Sequence, residues 1–119
     1  MDLDNPVIRL CLDGAQAEFK GQPAEAQRLY QQAWAAATDA YEACIAAHYV
    51  ARFQATPKET LRWNQIALER AEAAEADRVR DFYPSLYLNL GHAYEVLGDQ
   101  AEAQRYYDLA ADLGVIHQP

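Results

Sequence analysis

The chain has 119 residues, half of them hydrophobic, and 18 acidic against 10 basic side chains give a formal charge of −8. One domain of this size buries roughly 65% of its unfolded surface, and so apolar a composition excludes a disordered or low-complexity chain. The negative balance opposes binding to phosphate backbones or anionic lipid, and no apolar run approaches the ~20 residues of a membrane span.

The opening residues, MDLDNPVIRL, are acidic and lack the basic flank and long apolar stretch of a secretion signal. A first helix is expected over about 6–20, with Leu10, Gly14 and Ala17 on one face. Gly21 ends it, and Pro23 opens a second helix over 23–37 with Ala26, Tyr30 and Ala33 as its apolar stripe. A third helix, 40–54, carries Cys44, Ala47, His48 and Ala51. Thr56 as cap, Pro57 first and Glu59 third then start a fourth over 57–76, each such cap being worth ~1 kcal/mol. A fifth, 79–97, spaces Tyr87, Leu90 and Tyr94 along one face. Gly98 terminates it, and Asp99 with Glu102 forms a capping box for the last helix, 100–113, striped by Ala103, Tyr107 and Ala110. Cys11 and Cys44 have no C-x-x-C spacing and are too few for a disulfide framework, which points to a reduced cytoplasm.

Three turns built the same way amount to an internal repeat, and the repeat resembles the tetratricopeptide family. That family's signature is W-x2-L-G-x2-Y followed by A-x3-F, with a period of 34 residues. Its positions appear as Tyr87, Leu90, Gly91 and Tyr94, then Ala103 and Tyr107. In the first unit they appear as Leu10, Gly14 and Ala17, then Ala26 and Tyr30, with Asp13 in place of the usual Leu. The middle unit is degenerate: Cys44, Ala47, His48 and Ala51, then Thr60 and Asn64. Gly14 to His48 is 34 residues, whereas His48 to Gly91 is 43. The nine extra residues fall in ERAEAAEADRVRDFYPS, where they are expected to lengthen the helices on either side of Asp77 as a cap. Pro84 is expected to kink or start the helix that carries Gly91. The resemblance implies an all-α, right-handed α-solenoid of three antiparallel helix pairs in a single domain, 1–119. Its units would be about 6–37, 40–76 and 79–113, with a tail over 114–119. It further implies a concave groove that holds a peptide or helix of a partner protein.

Within that frame His48 stands where the family has a small residue, and Asn64 where it has an aromatic ring. A large-for-small exchange offset by a small-for-large one conserves volume, and the two polar groups are expected to hydrogen-bond as a structural pair. That reading is preferred over a proton-transfer site, because spacing brings no nucleophile or second base to His48. Glu18, Arg52 and Glu95 occupy equivalent groove positions, suggesting a ladder in which Arg52 sits between two carboxylates. Mutual neutralisation is preferred over Arg52 holding a partner's carboxylate. Tyr49 and His92 share another equivalent place, with Asn89 beside His92; these six residues form the candidate partner-binding groove. Cys11, expected to face the groove, and Ala15 lie where a basic carboxylate clamp would need Lys and Asn, so that clamp is not reproduced.

His48, His92 and His117 lack the i, i+4 spacing of a helical metal site, so no metal and no cofactor are expected. Trp34 and Trp63 read as packing residues. The function expected is a protein-interaction module with no catalytic residue, its partner another protein with positive charge facing Glu18 and Glu95. The alternatives are a self-associating scaffold, or a small-molecule sensor or enzyme built on His48, Tyr49, Arg52 and His92. Leu61 and Leu68 of the middle unit would pack on the next one. Their counterparts Gln104 and Ala111, with Val115 and Ile116 folding back, would end the array as a monomer or weak homodimer.

Overall fold

The computed structural model describes residues 3–114, and every regular element among them is helical. The longer helices are α1 (Pro6–Phe19), α2 (Pro23–Ala36), α3 (Ala40–Val50), α4 (Pro57–Ala73), α6 (Tyr83–Val96) and α7 (Gln100–Asp112). A short α5 (Ala76–Val79) and two single 3-10 turns, Ala51–Phe53 and Arg80–Phe82, complete the chain. Helices pack in adjacent pairs: α1 with α2, α3 with α4, and α6 with α7. The pairs are joined through α2 on α3 and α4 on α6, and α1 also runs against α3. None of these helices is long and apolar enough to cross a membrane.

Local chemistry accounts for most of the helix ends. Asn5 caps α1, its Oδ1 accepting from the N–H groups of Val7 and Ile8 at 2.8 and 3.3 Å. Thr56 and Asp99 cap α4 and α7, accepting from the Glu59 and Glu102 N–H groups at 3.2 and 3.1 Å. After α1, Gly21 takes φ 76° while Gln22 N–H donates to the Ala17 carbonyl and Gly21 N–H to that of Glu18. After α6 the pattern recurs, with Gly98 at φ 85°, Asp99 N–H on Tyr94 and Gly98 N–H on Glu95. Only a residue without Cβ tolerates that left-handed geometry cheaply. The middle turn has Ala55 where the others have glycine. There α3 tightens into the 3-10 turn, Gln54 becomes extended, and its side chain donates to the Val50 carbonyl at 2.9 Å.

The nine extra residues lengthen α4, which has 17 residues against 14 in α2, but not α6, which has the 14 of α1; the rest form α5 and a 3-10 turn. α4 stops at Ala73, and Asp77 lies in the first turn of α5 instead of capping a long helix. Val79 from this insert is fully buried in the core with Ile8, Ile45 and Leu86, which explains why the segment folds inward. Pro84 lies in the first turn of α6, so it starts that helix, where its missing N–H has no intrahelical partner to lose.

Cys11 does not face outward; it and Cys44 are completely buried, and burial pushes both thiols up to about 12. Trp34 and Trp63 meet edge to face at 5.0 Å, joining the first two pairs. Leu68 packs against the core, whereas Gln104 and Ala111 are exposed. Val115, Ile116 and His117 lie outside the described residues.

Candidate functional site

The first and last pairs share one internal joint. A Cβ built on Gly14 would lie 2.3 Å from the Tyr30 ring, and one on Gly91 would lie 2.5 Å from the Tyr107 ring. Each ring therefore lies directly on the facing helix, and its hydroxyl reaches a carboxylate near that helix's end. Tyr30 donates to Glu18 at 2.5 Å and Tyr107 to Glu95 at 3.4 Å. Two residues expected on the groove are thus positioned from behind by the packing rings.

Arg52, in the 3-10 turn after α3, grips Glu18 with both Nε and Nη2, at 2.7 and 2.8 Å. Those bonds, with the Tyr30 hydroxyl, hold the Glu18 carboxyl below the usual carboxylate range and raise the Arg52 guanidinium further. The side chain of Arg52 is 53% exposed, so solvent screening leaves this pair worth ~0–1 kcal/mol. The expected ladder has only its first rung: Arg52 pairs with Glu18, while Glu95 is engaged by Tyr107. The bidentate contact uses the Nε–Nη2 edge of the guanidinium, and Glu95 takes the Tyr107 hydroxyl instead.

Arg52 is also the hinge between two hollows. One, of about 390 Å³, is lined by Ala15, Glu18, Phe19, Tyr30, Tyr49 and Arg52. The next, of about 190 Å³, is lined by Arg52, His48, Ala51, Thr60, Asn64, Asn89, His92 and Ala93. A third, of about 280 Å³, shares Thr60, His92 and Ala93 with it and continues to Pro57 and Val96. The hollows form one row over the ends of α1, α3 and α6, and the row contains or borders Glu18, Tyr49, Arg52, Asn89 and His92. Glu95 lines none of these three hollows. Tyr49 stacks on Tyr30 at 5.1 Å, which fixes the wall of the first hollow.

The middle hollow is a crevice between the second and third pairs. α1 packs along α3, but α3 and α6 barely approach each other, and the gap opens there. His48 and Asn64 both line it, yet the expected hydrogen bond between them is not made. His48 Nδ1 is instead 3.2 Å from the Asn89 amide nitrogen on α6. Asn64 turns its amide nitrogen back one turn to the Thr60 carbonyl at 3.1 Å. The physical reason is proximity: a carbonyl four residues back is always within reach of a helical Asn, and Asn89 of the next pair is the nearer partner for the ring. The volume exchange remains consistent with the packing, since Asn64 is buried and His48 half-buried.

Burial, followed by the Arg52 charge, lowers the His48 pKa below its ordinary 6.5. A histidine neutral in the fold and freer to protonate when unfolded contributes stability that is complete above pH 6.5 and is lost as pH falls below it. Urea midpoints should therefore drop from pH 7 toward the carboxylate range, and His48→Gln should flatten the first part of that drop. An unchanged slope in His48→Gln would show that His48 is not the group responsible.

Phe19 was not anticipated from the sequence. It is 92% exposed beside Glu18, an unusual setting for an aromatic side chain. The signal was available: Phe19, Phe53 and Val96 follow Glu18, Arg52 and Glu95 at the same repeat position, and Val96 is also exposed. Phe53 is instead half-buried and stacks on Tyr30 at 6.1 Å. Among the described residues, no group of three His, Cys, Asp or Glu side chains is arranged to hold a metal ion. Compared with known proteins, the chain matches no family model, no curated protein and no solved structure.

Proposed function

We propose that this chain is a tetratricopeptide-like interaction module, a right-handed solenoid whose concave groove binds a peptide or helix of another protein. The observation that carries the reading is the continuous row of hollows from Phe19 through Arg52 to Val96, with apolar side chains exposed at both ends. Exposed apolar groups at the two ends of an open row lined by both polar and apolar side chains suit an elongated partner better than a compact small molecule, which sites of 300–1,000 Å³ enclose on most sides. The duplicated glycine–tyrosine joints, sixteen residues apart in both outer pairs, support the repeat reading. The −8 charge favours a partner segment with net positive charge, attracted over a distance that salt shortens. The cytoplasm is the proposed location, where both buried cysteines stay reduced.

The test is capture of partners by the wild-type protein from its native cell extract, followed by binding measurements with the captured partner. Tyr49→Ala and Phe19→Asp should each weaken binding at least about tenfold, the scale of losing one central contact. Gln31→Glu, on the exposed side of α2, should leave it unchanged. Association should slow at high ionic strength. A partner indifferent to both groove substitutions but lost with Gln31→Glu would move the working surface to the second helices of the pairs.

A further inference from the structure

One face of α1 corresponds to a face that is covered elsewhere in the molecule. A step of 34 residues, the period from Gly14 to His48, takes Arg9, Leu12, Gln16 and Phe19 to Ala43, Ala46, Val50 and Phe53. The first three of these are buried. Val50 packs with Ala26 and Tyr30 of the first pair, and Phe53 stacks on the Tyr30 ring at 6.1 Å. The second pair therefore rests on the first through this face. On α1 the same face is open. Arg9, Leu12, Asp13, Ala15, Gln16 and Phe19, all from α1, line a hollow of about 600 Å³, and Phe19 at its edge is 92% exposed. An exposed surface that continues an internal joint is a docking surface.

Two observations select what covers it. The last pair offers no apolar counterpart, because Gln104, Asp108 and Ala111 are exposed on α7. Copies stacked head to tail would thus set Leu12 and Phe19 against polar or small side chains. Head to head, the face meets itself, and its charges fit that arrangement. Arg9 and Asp13 lie one turn apart in the same hollow, and neither forms an ion pair among the described residues. Parallel copies of α1 would oppose Arg9 to Arg9 and Asp13 to Asp13. Antiparallel copies about a two-fold axis set each Arg9 against the other copy's Asp13, so the attraction is made twice. That register brings Leu12 beside its own counterpart near the axis. It also brings Phe19 to the other copy's Leu3, which is 59% exposed.

We propose that this face of α1 binds the same face of a second copy of the chain, antiparallel about a two-fold axis. The 14 residues of α1 make a contact roughly 20 Å long, which buries less than the ~1,200 Å² of a standard interface. The dimer should therefore be weak, with Kd in the micromolar range. This surface is separate from the groove: Arg9, Leu12 and Asp13 line none of the three hollows of the row, although Phe19 borders both.

Sedimentation equilibrium across a wide concentration range is the test, with circular dichroism confirming that each variant is folded. The wild type should pass from monomer to dimer, and Leu12→Glu should stay monomeric. Arg9→Asp and Asp13→Arg should each weaken association at least about tenfold, because each opposes like charges at both contacts. Asp13→Arg lowers the net negative charge, so general repulsion between copies would make that variant associate more strongly instead. The double variant Arg9→Asp with Asp13→Arg exchanges the two charges and should recover wild-type association. A wild type that stays monomeric, a dimer indifferent to Leu12→Glu, stronger association by Asp13→Arg or a double variant that does not recover would overturn the proposal.

Discussion

Tyr30→Ala should lower the unfolding free energy by about 4 kcal/mol, the range for deleting a large buried aromatic side chain. The ring is 1% exposed, lies on Gly14, stacks with Tyr49 and Phe53, and binds Glu18 through its hydroxyl. Gly14→Ala should be destabilising as well, by about 2 kcal/mol, because the new carbon would meet the ring edge 2.3 Å away. The informative result is the sign of that second change once the ring is gone. In the Tyr30→Ala background there is nothing for the new Cβ to strike, and alanine exceeds glycine in a helix by about 1 kcal/mol. Gly14→Ala should then become stabilising. Denaturant unfolding of the four proteins measures the cycle. If Gly14→Ala costs the same with and without the ring, the joint between α1 and α2 is not the close contact described.

The middle pair should respond in the opposite sense. His48→Gly should cost about 3 kcal/mol, combining a cavity, glycine in a helix and loss of the Asn89 contact. Asn64→Tyr alone should also destabilise, since a phenol ring has no room opposite an imidazole. Together they recreate the glycine–tyrosine joint of the outer pairs, spaced by the same sixteen residues. The double variant should therefore be more stable than either single one, with a coupling of about 2 kcal/mol or more. Additive losses would mean that the two positions are not exchanged volumes.

The sequence by itself determined the helix pairs and the ends that carry a cap or a left-handed glycine. Gly21, Gly98, Thr56 and Asp99 act within a few residues of their own backbone, so their effect could be read without knowing what lies across from them. The stripes Ala26, Tyr30, Ala33 and Ala103, Tyr107, Ala110 are likewise buried as their spacing requires. Glu18, Tyr49, Arg52, Asn89 and His92, chosen from the sequence by their equivalent spacing, line the hollows. Only the tertiary structure decided which neighbour each polar side chain took. Arg52 chose Glu18 and not Glu95, His48 chose Asn89 and not Asn64, and Glu95 went to Tyr107. It also turned the nine-residue insert into a short helix anchored by Val79 and left α3 and α6 apart. Caps and stripes depend on chain-local geometry that is nearly the same in every helix. A hydrogen bond between helices fails with a shift of about 1 Å, and such shifts are set by the packing of the whole chain.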